Sequence, residues 1–323
     1  MKDNILYVVI PCYNEEEVLS ETTKKLKEKM DQLIKDKQIS KNSKVMYVND
    51  GSKDSTWNLI QDISNKDTLF TGITLSRNRG HQNALVAGLL TAKKYADVVI
   101  SMDADLQDDI NVMDQMIEKY NNGCQIVYGV RSSRKKDTFF KRFTAESFYK
   151  FMNKMGVNII YNHADYRLTS KRVLDEFENY KEVNLFLRGI FPLIGFKSDI
   201  VYYERNKRFI GKSKYSFKKM LNFAWDGITS FSIKPIRLIL ILGILQTVLS
   251  FICMVVFIAL NIIKLKTLGT GSIVSIIFFV SGIQLLCTGI VGEYIGKIYG
   301  ETKERPRYII EKNLLEVNNK KEK

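Results

Sequence analysis

The sequence predicts an α/β fold, a mostly parallel sheet with helices on both faces, followed by two C-terminal transmembrane helices. Over the first 235 or so residues, short apolar strands alternate with amphipathic helical stretches, which is the rhythm of a parallel sheet covered by helices. Two long apolar stretches follow this part of the chain. Polar residues gather directly after the strands, where the ligands of such sheets bind.

The elements of the sheet are predicted in chain order from this alternation. The strand ILYVVI is followed by a helix over residues 16–36, and KVMYVND by a helix over about 55–65. FTGITLS precedes a helix over about 82–95, and ADVVISMDAD a helix over about 110–121. CQIVYGVR is the next predicted strand. Because neither GxGxxG nor GxxxxGK[ST] is present, a dinucleotide fingerprint and a P-loop are excluded.

The two apolar stretches predict membrane-spanning helices at about 238–263 and 272–298. Each stretch is longer than the roughly 20 residues that a helix needs to cross a bilayer. The basic flanks IKPIR and KIYGETKERPRY outweigh two lysines in the connecting segment, which predicts a cytosolic location for both ends of the pair. The first apolar run is short and is broken by Pro11. It lacks the pattern of a signal peptide, so we expect the first half in the cytosol.

Composition narrows the classes of partner. The chain has 323 residues, 45% of them hydrophobic, and a net charge of +14, which favours an anionic partner such as nucleic acid, anionic lipid or a phosphorylated substrate. The basic residues concentrate near the membrane segments and no RNA- or DNA-binding motif is present, so nucleic acid is not expected. The four scattered cysteines form no CxxC pair, which fits a reducing compartment.

A cluster of aspartates, SMDADLQDD at residues 101–109, ends the fourth predicted strand. Carboxylates this close repel one another unless a cation lies among them, so the cluster is either a solvated turn or a metal site. Asp105 and Gln107, with Asp103 behind them, are spaced to meet a diphosphate through Mg²⁺ or Mn²⁺, which prefer oxygen ligands. Asp108 and Asp109 are expected to favour the N-terminus of the next helix.

Nine motifs in order carry a resemblance to a known family. They are IPCYNEEE, VNDGSKDST, LSRNRGHQNAL, DADLQDD, DYRL, FLRG, RFIGKSKY, SFSIKPIR and GEYIGKIYGETKERPRY. Together they resemble the family-2, GT-A-fold polyprenyl-phosphate glycosyltransferases, most of all the two-span bactoprenol glucosyltransferases and more distantly dolichol-phosphate mannosyltransferase. Two positions depart from the pattern and could bear on donor choice: Arg79 replaces an aromatic residue in SRNxG, and Asn49 an acid in VNDG.

The resemblance implies inverting transfer of a sugar from a nucleotide-diphosphate sugar to a polyprenyl phosphate at the cytosolic face of the cell membrane. UDP-glucose or UDP-N-acetylglucosamine and undecaprenyl phosphate are the expected substrates, with GDP-mannose as the alternative donor. Mg²⁺ or Mn²⁺ is the expected cofactor, and a homo-oligomer, even a tetramer, is conceivable. A processive polysaccharide synthase would carry a QxxRW motif, which is missing. A non-catalytic nucleotide-sugar binder would have lost its metal or acceptor motif, and both are present.

The resemblance also implies roles for the donor side. Pro11, Tyr13 and Glu15 would line the nucleotide pocket. Asp50 would accept a hydrogen bond from the base, or it only caps a turn with Gly51.

The aspartate turn and two arginines would hold the rest of the donor. Asp103 would contact the ribose or the metal shell, and Ala104 would act through its backbone. Asp105 would be the main ligand of a metal that stabilises the departing diphosphate as a Lewis acid. Arg131 and Arg134 are either partners of the diphosphate or solvated basic residues.

On the acceptor side, Asp165 in HADYRL is the family's candidate base, or it orients the acceptor or the sugar hydroxyls. Arg167 beside it could bind phosphate. A lipid monophosphate, with a second pKa near 6, is largely dianionic at neutral pH and hardly needs a base. The two histidines, His81 and His163, show no nucleophile–base spacing.

A basic loop and two amphipathic stretches link the catalytic part to the membrane. In RNKRFIGKSKYSFKK, Arg208, Ser213 and Lys214 are expected to bind the lipid phosphate, unless the loop is a polybasic patch that only attracts anionic lipid. FFKRFTAESFYKFMNKM and YSFKKMLNFAWDGITSF have the pattern of interfacial helices or, alternatively, of core helices. The predicted organisation is a donor-binding core (1–137), an acceptor-side part (138–235), the membrane helices (236–300) and a cytosolic basic tail (301–323).

Overall fold

The structure is a computed structural model that describes residues 3–132, 160, 162–183, 185–205, 229, 232, 234–262 and 270–316. Apart from residue 229, both predicted interfacial helices lie outside the described residues. The same is true of four residues with a predicted role in binding, namely Arg134, Arg208, Ser213 and Lys214.

An eight-stranded mixed sheet forms the centre of the fold, in the order β7-β5-β6-β4-β1-β2-β3-β8. β6 and β8 run against the other strands. β1 is buried along its whole length, as expected for a strand with helices on both faces. The strands are β1 (Leu6–Cys12), β2 (Lys44–Asn49), β3 (Phe70–Leu75), β4 (Val98–Ser101), β5 (Ile126–Arg131), β6 (His163–Ser170), β7 (Ser198–Tyr203) and β8 (Ile310–Asn313).

Helices cover both faces of the sheet, which confirms the expected α/β arrangement. On one face lie α1 (Glu16–Lys35), α2 (Thr56–Lys66) and α4 (Met113–Asn121), and on the other lie α3 (His81–Ala92), α5 (Lys171–Phe177) and α6 (Leu187–Leu193). α1 buries an apolar stripe and exposes its charged side. α3 is buried along most of its length. At Gly88, an added Cβ would lie 2.4 Å from a methyl group of Val9, so α3 packs directly against β1.

Two long helices, α7 (Lys234–Ile262) and α8 (Thr270–Thr302), lie between β7 and β8 in the chain. Among the described residues, one helical segment, Ile276–Thr302, is long and apolar enough to cross a membrane. The predicted span at about 238–263 is therefore not confirmed. Large apolar side chains of α8 are exposed, for example Phe278 and Leu285 at 74% each. An apolar surface of this extent indicates contact with a membrane or another protein.

The chain returns from α8 to the sheet and forms its last strand. β8 pairs antiparallel with β3 at the sheet edge, and the backbone N–H of Ser76 donates to the carbonyl of Ile309 at 3.0 Å. The guanidinium of Arg79 donates to the carbonyl of Pro306 at 3.0 Å. The segment predicted as a basic tail thus contributes residues 310–313 to the central sheet.

Candidate active site

Two loops at the carboxyl ends of β1 and β2 are joined by hydrogen bonds. The backbone N–H of Asn14 donates to the Ser52 hydroxyl at 3.0 Å, and the Lys53 N–H donates to the Asn14 side chain at 2.9 Å. Asn14 has a φ of +53°, a conformation that asparagine tolerates well. These hydrogen bonds fix the segment that carries three residues of the predicted nucleotide pocket, namely buried Pro11 and half-buried Tyr13 and Glu15.

Asp50, at the end of β2, holds the loop between β3 and α3. Its buried carboxylate accepts hydrogen bonds from the backbone N–H groups of Arg79 at 2.7 Å and Gly80 at 2.9 Å. Burial raises the pKa of Asp50, and these two donors oppose that shift. The loop also packs closely on Gly51, which has a φ of +61° and where an added Cβ would lie 2.6 Å from the backbone of Arg77. Asp50 therefore anchors this loop, and its contact with a base stays a prediction.

The aspartate cluster after β4 forms a tight turn rather than an open loop. The carbonyl of Ala104 accepts a hydrogen bond from the Thr22 hydroxyl of α1 at 2.8 Å. Leu106 has a φ of +55°, which is uncommon for a branched side chain and indicates a strained turn. The Asp105 carboxylate accepts from the backbone N–H of Gln107 at 3.1 Å. The turn therefore orients the Asp105 carboxylate through its own backbone.

Asp103 and Asp105 are the carboxylates of this turn that fit a divalent cation. The Asp103 side chain is 41% exposed, and Asp105 is nearly buried. The described part of the chain contains no group of three or more His, Cys, Asp or Glu residues that could hold a metal ion. Two carboxylates suit an ion such as Mg²⁺, which commonly completes its shell with substrate phosphates and water. The side-chain oxygen of Gln107 accepts a hydrogen bond from Arg205, and its role as a metal ligand stays a prediction.

The two aspartates that end the cluster have different environments. Asp109 accepts from the backbone N–H of Asn111 at 3.0 Å and caps the 3₁₀ turn before α4, as predicted. For Asp108 the prediction of a helix-terminal role is wrong. Its buried carboxylate accepts a hydrogen bond from the Tyr203 hydroxyl and lies 3.9 Å from the guanidinium of Arg131. Burial and the charge of nearby carboxylates raise the pKa of Asp108 to about 6.

Across from this turn, β6 brings Asp165 into a cluster of cationic side chains. The Asp165 carboxylate accepts a hydrogen bond from Arg188 at 3.3 Å. Its oxygens also lie 3.9 Å from the Arg167 guanidinium and 3.6 Å from Nε2 of His81. Burial would raise the pKa of Asp165, but Arg188, His81 and Arg167 together hold it well below the ordinary range. Asp165 is therefore an ionised carboxylate and a weak proton acceptor.

The predicted contact between Arg167 and a substrate phosphate is wrong for this conformation. Arg167 is 0% exposed, and its guanidinium lies 3.9 Å from the centre of the Phe191 ring. None of its three side-chain nitrogens has a hydrogen-bond partner among the described residues. Burial lowers the pKa of Arg167 to about 10. Since no surface of this side chain is open to solvent, it serves as a buried counter-charge behind Asp165.

Two residues of the site were not assigned a role from the sequence, His81 and Arg188. Nε2 of His81 lies 3.6 Å from carboxylate oxygens of both Asp103 and Asp165. Partial desolvation in the cleft would lower the pKa of His81, whose side chain is 43% exposed, but these two carboxylates raise it to about 9. The side chain of Gln82 accepts from the backbone N–H of Leu187 at 3.1 Å, which joins the start of α3 to the start of α6.

The motifs LSRNRGHQNAL and FLRG, which contain His81 and Arg188, were the only signal for these two residues. Nothing in the sequence indicates that they meet at Asp165. The site thus brings together Asp103, Asp105, His81, Asp165 and Arg188 at one edge of the sheet, with Arg131 and Arg205 on the far side of the aspartate turn.

The chain is similar to known proteins along nearly its whole length. Residues 7–177 match the family described as Glycosyl transferase family 2. The uncharacterized glycosyltransferase YkoT of Bacillus subtilis is 53% identical over 96% of this chain and 92% of its own length. The SfII prophage-derived bactoprenol glucosyl transferase of Shigella flexneri is 38% identical over 95% of this chain and 97% of its own. The prophage bactoprenol glucosyl transferase homolog of Escherichia coli is 38% identical over 94% and 98%.

Among solved structures, mannosyl-3-phosphoglycerate synthase from Rubrobacter xylanophilus is a weak match, with a TM-score of 0.47 and 12% identity over 69% of this chain and 71% of that chain. The sequence relatives carry the assignment, because their similarity runs through the sheet, the candidate site and both C-terminal helices. The chain belongs to glycosyl transferase family 2.

Proposed function

We propose that the chain transfers a sugar from a nucleotide-diphosphate sugar to a polyprenyl phosphate, with inversion at the anomeric carbon. The observation that carries this proposal is the similarity to bactoprenol glucosyl transferases over almost the entire chain. UDP-glucose is the first choice of donor because those relatives are named for glucosyl transfer, and UDP-N-acetylglucosamine is the next. Undecaprenyl phosphate is the proposed acceptor.

The geometry of the site supports this reaction. A donor diphosphate fits the aspartate turn, where Asp103 and Asp105 would hold a divalent cation, Mg²⁺ or Mn²⁺. When bound, such an ion stabilises the charge of a departing diphosphate. Asp165 lies across from this turn, and His81 lies between them, 3.6 Å from Asp103 and from Asp165. The sugar would then sit between the two carboxylate groups, within reach of an acceptor on the Asp165 side.

Asp165 acts in this proposal as a positioning group rather than as a general base. Two guanidinium groups and an imidazole surround its carboxylate, which stabilises the ionised form. The attacking group is a phosphate oxygen that is already negatively charged at neutral pH. Direct attack in a single displacement inverts the anomeric centre, and no covalent sugar–enzyme intermediate is needed.

The topology of the chain supports two membrane crossings, and the basic flanks of the two apolar stretches favour the cytosolic side for the sheet. β8 pairs with β3, so the chain must leave and re-enter the same side of the membrane between β7 and β8. An even number of crossings satisfies this condition, and a single crossing by α8 does not. α7 spans 29 residues, and its sequence has no charge from residue 238 to 262, which is long enough to cross a bilayer.

The remaining substrate contacts are proposed from the family resemblance. Pro11, Tyr13, Glu15, Asp50 and Arg131 would surround the nucleotide and its diphosphate. Residues 206–228, which the structure does not describe, would supply acceptor contacts through Arg208, Ser213 and Lys214.

The test is a donor panel with the full-length protein in undecaprenyl-phosphate-containing membranes. Labelled UDP-glucose, UDP-N-acetylglucosamine and GDP-mannose are supplied one at a time, and the extracted lipid is identified by mass spectrometry. We expect a hexose-phosphate lipid from UDP-glucose. A product from GDP-mannose alone would make the chain a mannosyltransferase. Binding of a donor without any lipid product would contradict transfer to a polyprenyl phosphate and favour a non-catalytic binder.

A further inference from the structure

The segment between α8 and β8, residues 303–309, is fixed to the catalytic part at both ends although it belongs to neither a helix nor a strand. Just before it, the carboxylate of Glu301 accepts the backbone N–H of Val183, with both oxygens at 2.8 Å. Within it, the guanidinium of Arg307 donates to the carbonyl of Tyr180. At its end the chain enters β8, which pairs with β3. The segment can therefore serve as a support for other loops at this edge of the sheet.

Arg79 joins this segment to the loop between β3 and α3. Its guanidinium donates to the carbonyl of Pro306 at 3.0 Å, and its Nε is buried. Its backbone N–H donates to the Asp50 carboxylate at 2.7 Å, and its carbonyl accepts from the Asn83 side chain at 2.8 Å. One residue thus connects the carboxylate that is expected to meet the base with the segment that follows α8.

The loop that contains Arg79, residues 76–80, is exposed over its first three side chains. At its end, Gly80 has a φ of +86° and open space where a Cβ would lie. Besides the close packing on Gly51, two polar anchors hold this loop, Asp50 at the end of β2 and Pro306 beyond β3. A hydrogen bond from a charged donor is stronger than one between neutral groups. Loss of the Pro306 anchor should therefore let the loop shift, together with the two N–H groups that bind Asp50.

We propose that Arg79 is a positioning residue for the donor nucleotide: by binding the Pro306 carbonyl, it holds Asp50 and the loop before α3 in the orientation that receives the base. The inference rests on the proposed function, in which the donor is a nucleotide-diphosphate sugar and Asp50 contacts its base. It adds a residue that acts on this contact from outside the pocket. The nucleotide pocket is then complete only when the chain that follows α8 is docked on the sheet.

The experiment measures nucleotide binding by the full-length protein in detergent with Mg²⁺. UDP is titrated by calorimetry, and uridine, which has the base but no phosphate, is titrated by displacement of UDP. Arg79→Met keeps the length of the side chain but removes the donor. We expect it to weaken the binding of both ligands by the same factor, about fivefold, or roughly 1 kcal/mol. Arg79→Lys retains a charged donor for the Pro306 carbonyl and should restore most of the affinity.

Arg77→Met is the matched control, because it removes the same charge from an exposed side chain two residues earlier in the loop. Both affinities should keep their wild-type values in this variant. A second comparison repeats Arg79→Met in an Asp50→Asn background, with UDP as the ligand. If Arg79 acts through Asp50, the loss should be much smaller there, because the effects of residues in direct contact are not additive.

Four results would overturn the proposal: unchanged affinities in Arg79→Met, a loss for UDP without a loss for uridine, an equal loss in Arg77→Met, or the full loss in the Asp50→Asn background. Unchanged affinities with a lower melting temperature would make the contact with Pro306 purely structural. A loss for UDP alone would mean that Arg79 contacts a phosphate of the donor.

Failure of the proposed function is a separate result. If the wild-type protein binds GDP and guanosine in place of UDP and uridine, the proposed UDP donor is wrong, and the same variants are compared with those two ligands. Arg79-dependent binding of a nucleotide in a protein that forms no lipid product would contradict the proposed transfer and leave the role of Arg79 supported. A wild-type protein that binds neither nucleotide would contradict both.

Discussion

Replacement of Arg167 by methionine should make the protein more stable. Arg167 is a fully buried cation whose side-chain nitrogens have no hydrogen-bond partner in the part of the chain that the structure describes. Burying a charge without full compensation is unfavourable, and removing one partner of a buried pair is costly only when the other charge is left unpaired. Asp165 is not left unpaired, because His81 and Arg188 remain beside it. Methionine has a similar length and packs well against aromatic rings, so it can fill the space beside Phe191.

The magnitude follows from the pKa of Arg167. Burial lowers it from 12.5 to about 10, and at roughly 1.4 kcal/mol per pKa unit the buried charge costs about 3 kcal/mol at neutral pH. The substitution also removes the contact with the Phe191 ring, worth about 1–2 kcal/mol. Asp165 keeps Arg188 and His81 as partners. The net gain should therefore be about 1–2 kcal/mol, or a rise of roughly 2–8 °C in melting temperature for a domain of this size.

The assay is thermal unfolding of the purified protein in detergent, followed by fluorescence. The pKa of Arg167 is lower in the folded state than in the unfolded state, so its charge costs stability at every pH below the folded-state value of about 10. Removing the side chain should therefore raise the stability equally at about pH 6 and about pH 8. Arg172→Met, on the surface of α5, should shift the melting temperature little. A melting temperature of Arg167→Met below that of wild type would refute the reasoning, because the attraction to Asp165 would then outweigh the cost of burial.

Asp105→Asn should lower turnover by roughly a hundredfold or more. Chelation by EDTA should do the same to the wild-type protein, and added Mg²⁺ or Mn²⁺ should restore its turnover. Full activity in the chelator would exclude a metal role. In a variant without the native cysteines, a cysteine introduced at Asn318 should react with membrane-impermeant maleimide only from the cytosolic side. A cysteine introduced at Thr267 should react only from the outside. Labelling of both positions from the same side would contradict two crossings. Gly51→Ala should lower the melting temperature more than Gly80→Ala, because both positions have a positive φ but only Gly51 leaves no room for a Cβ; equal shifts would mean that the loop after β3 moves away freely.

The local elements could be predicted from the sequence, and the long-range pairings could not. The helix expected over residues 16–36 is observed as Glu16–Lys35, because its apolar stripe is a local signal. The insertion of β6 between β4 and β5, and of β8 beside β3, depends on contacts between distant segments. Hydrophobic periodicity carries no information on which strands pair.

The same distinction holds for the candidate site. The turn at Asp103 and Asp105 is a short motif and was found from its spacing. Asp108 was misassigned because its partner Tyr203 lies far along the chain. Arg167 was expected to bind phosphate because the sequence does not show whether a single charged residue in a strand is exposed or buried. His81 and Arg188 meet Asp165 only through the packing of α3 and α6 against the sheet.

The pairing of β8 with β3 also sets an order for folding. The sheet receives its last strand from residues that leave the ribosome after both long helices, so until then β3 is an open edge with unpaired backbone groups. Such edges favour pairing with other chains and aggregation. The globular part is therefore discontinuous in sequence, and a shortened chain that ends at residue 205 would lack the strand that covers β3 and the carbonyl that anchors Arg79. Any soluble version of this catalytic part needs residues 303–316 joined back to it.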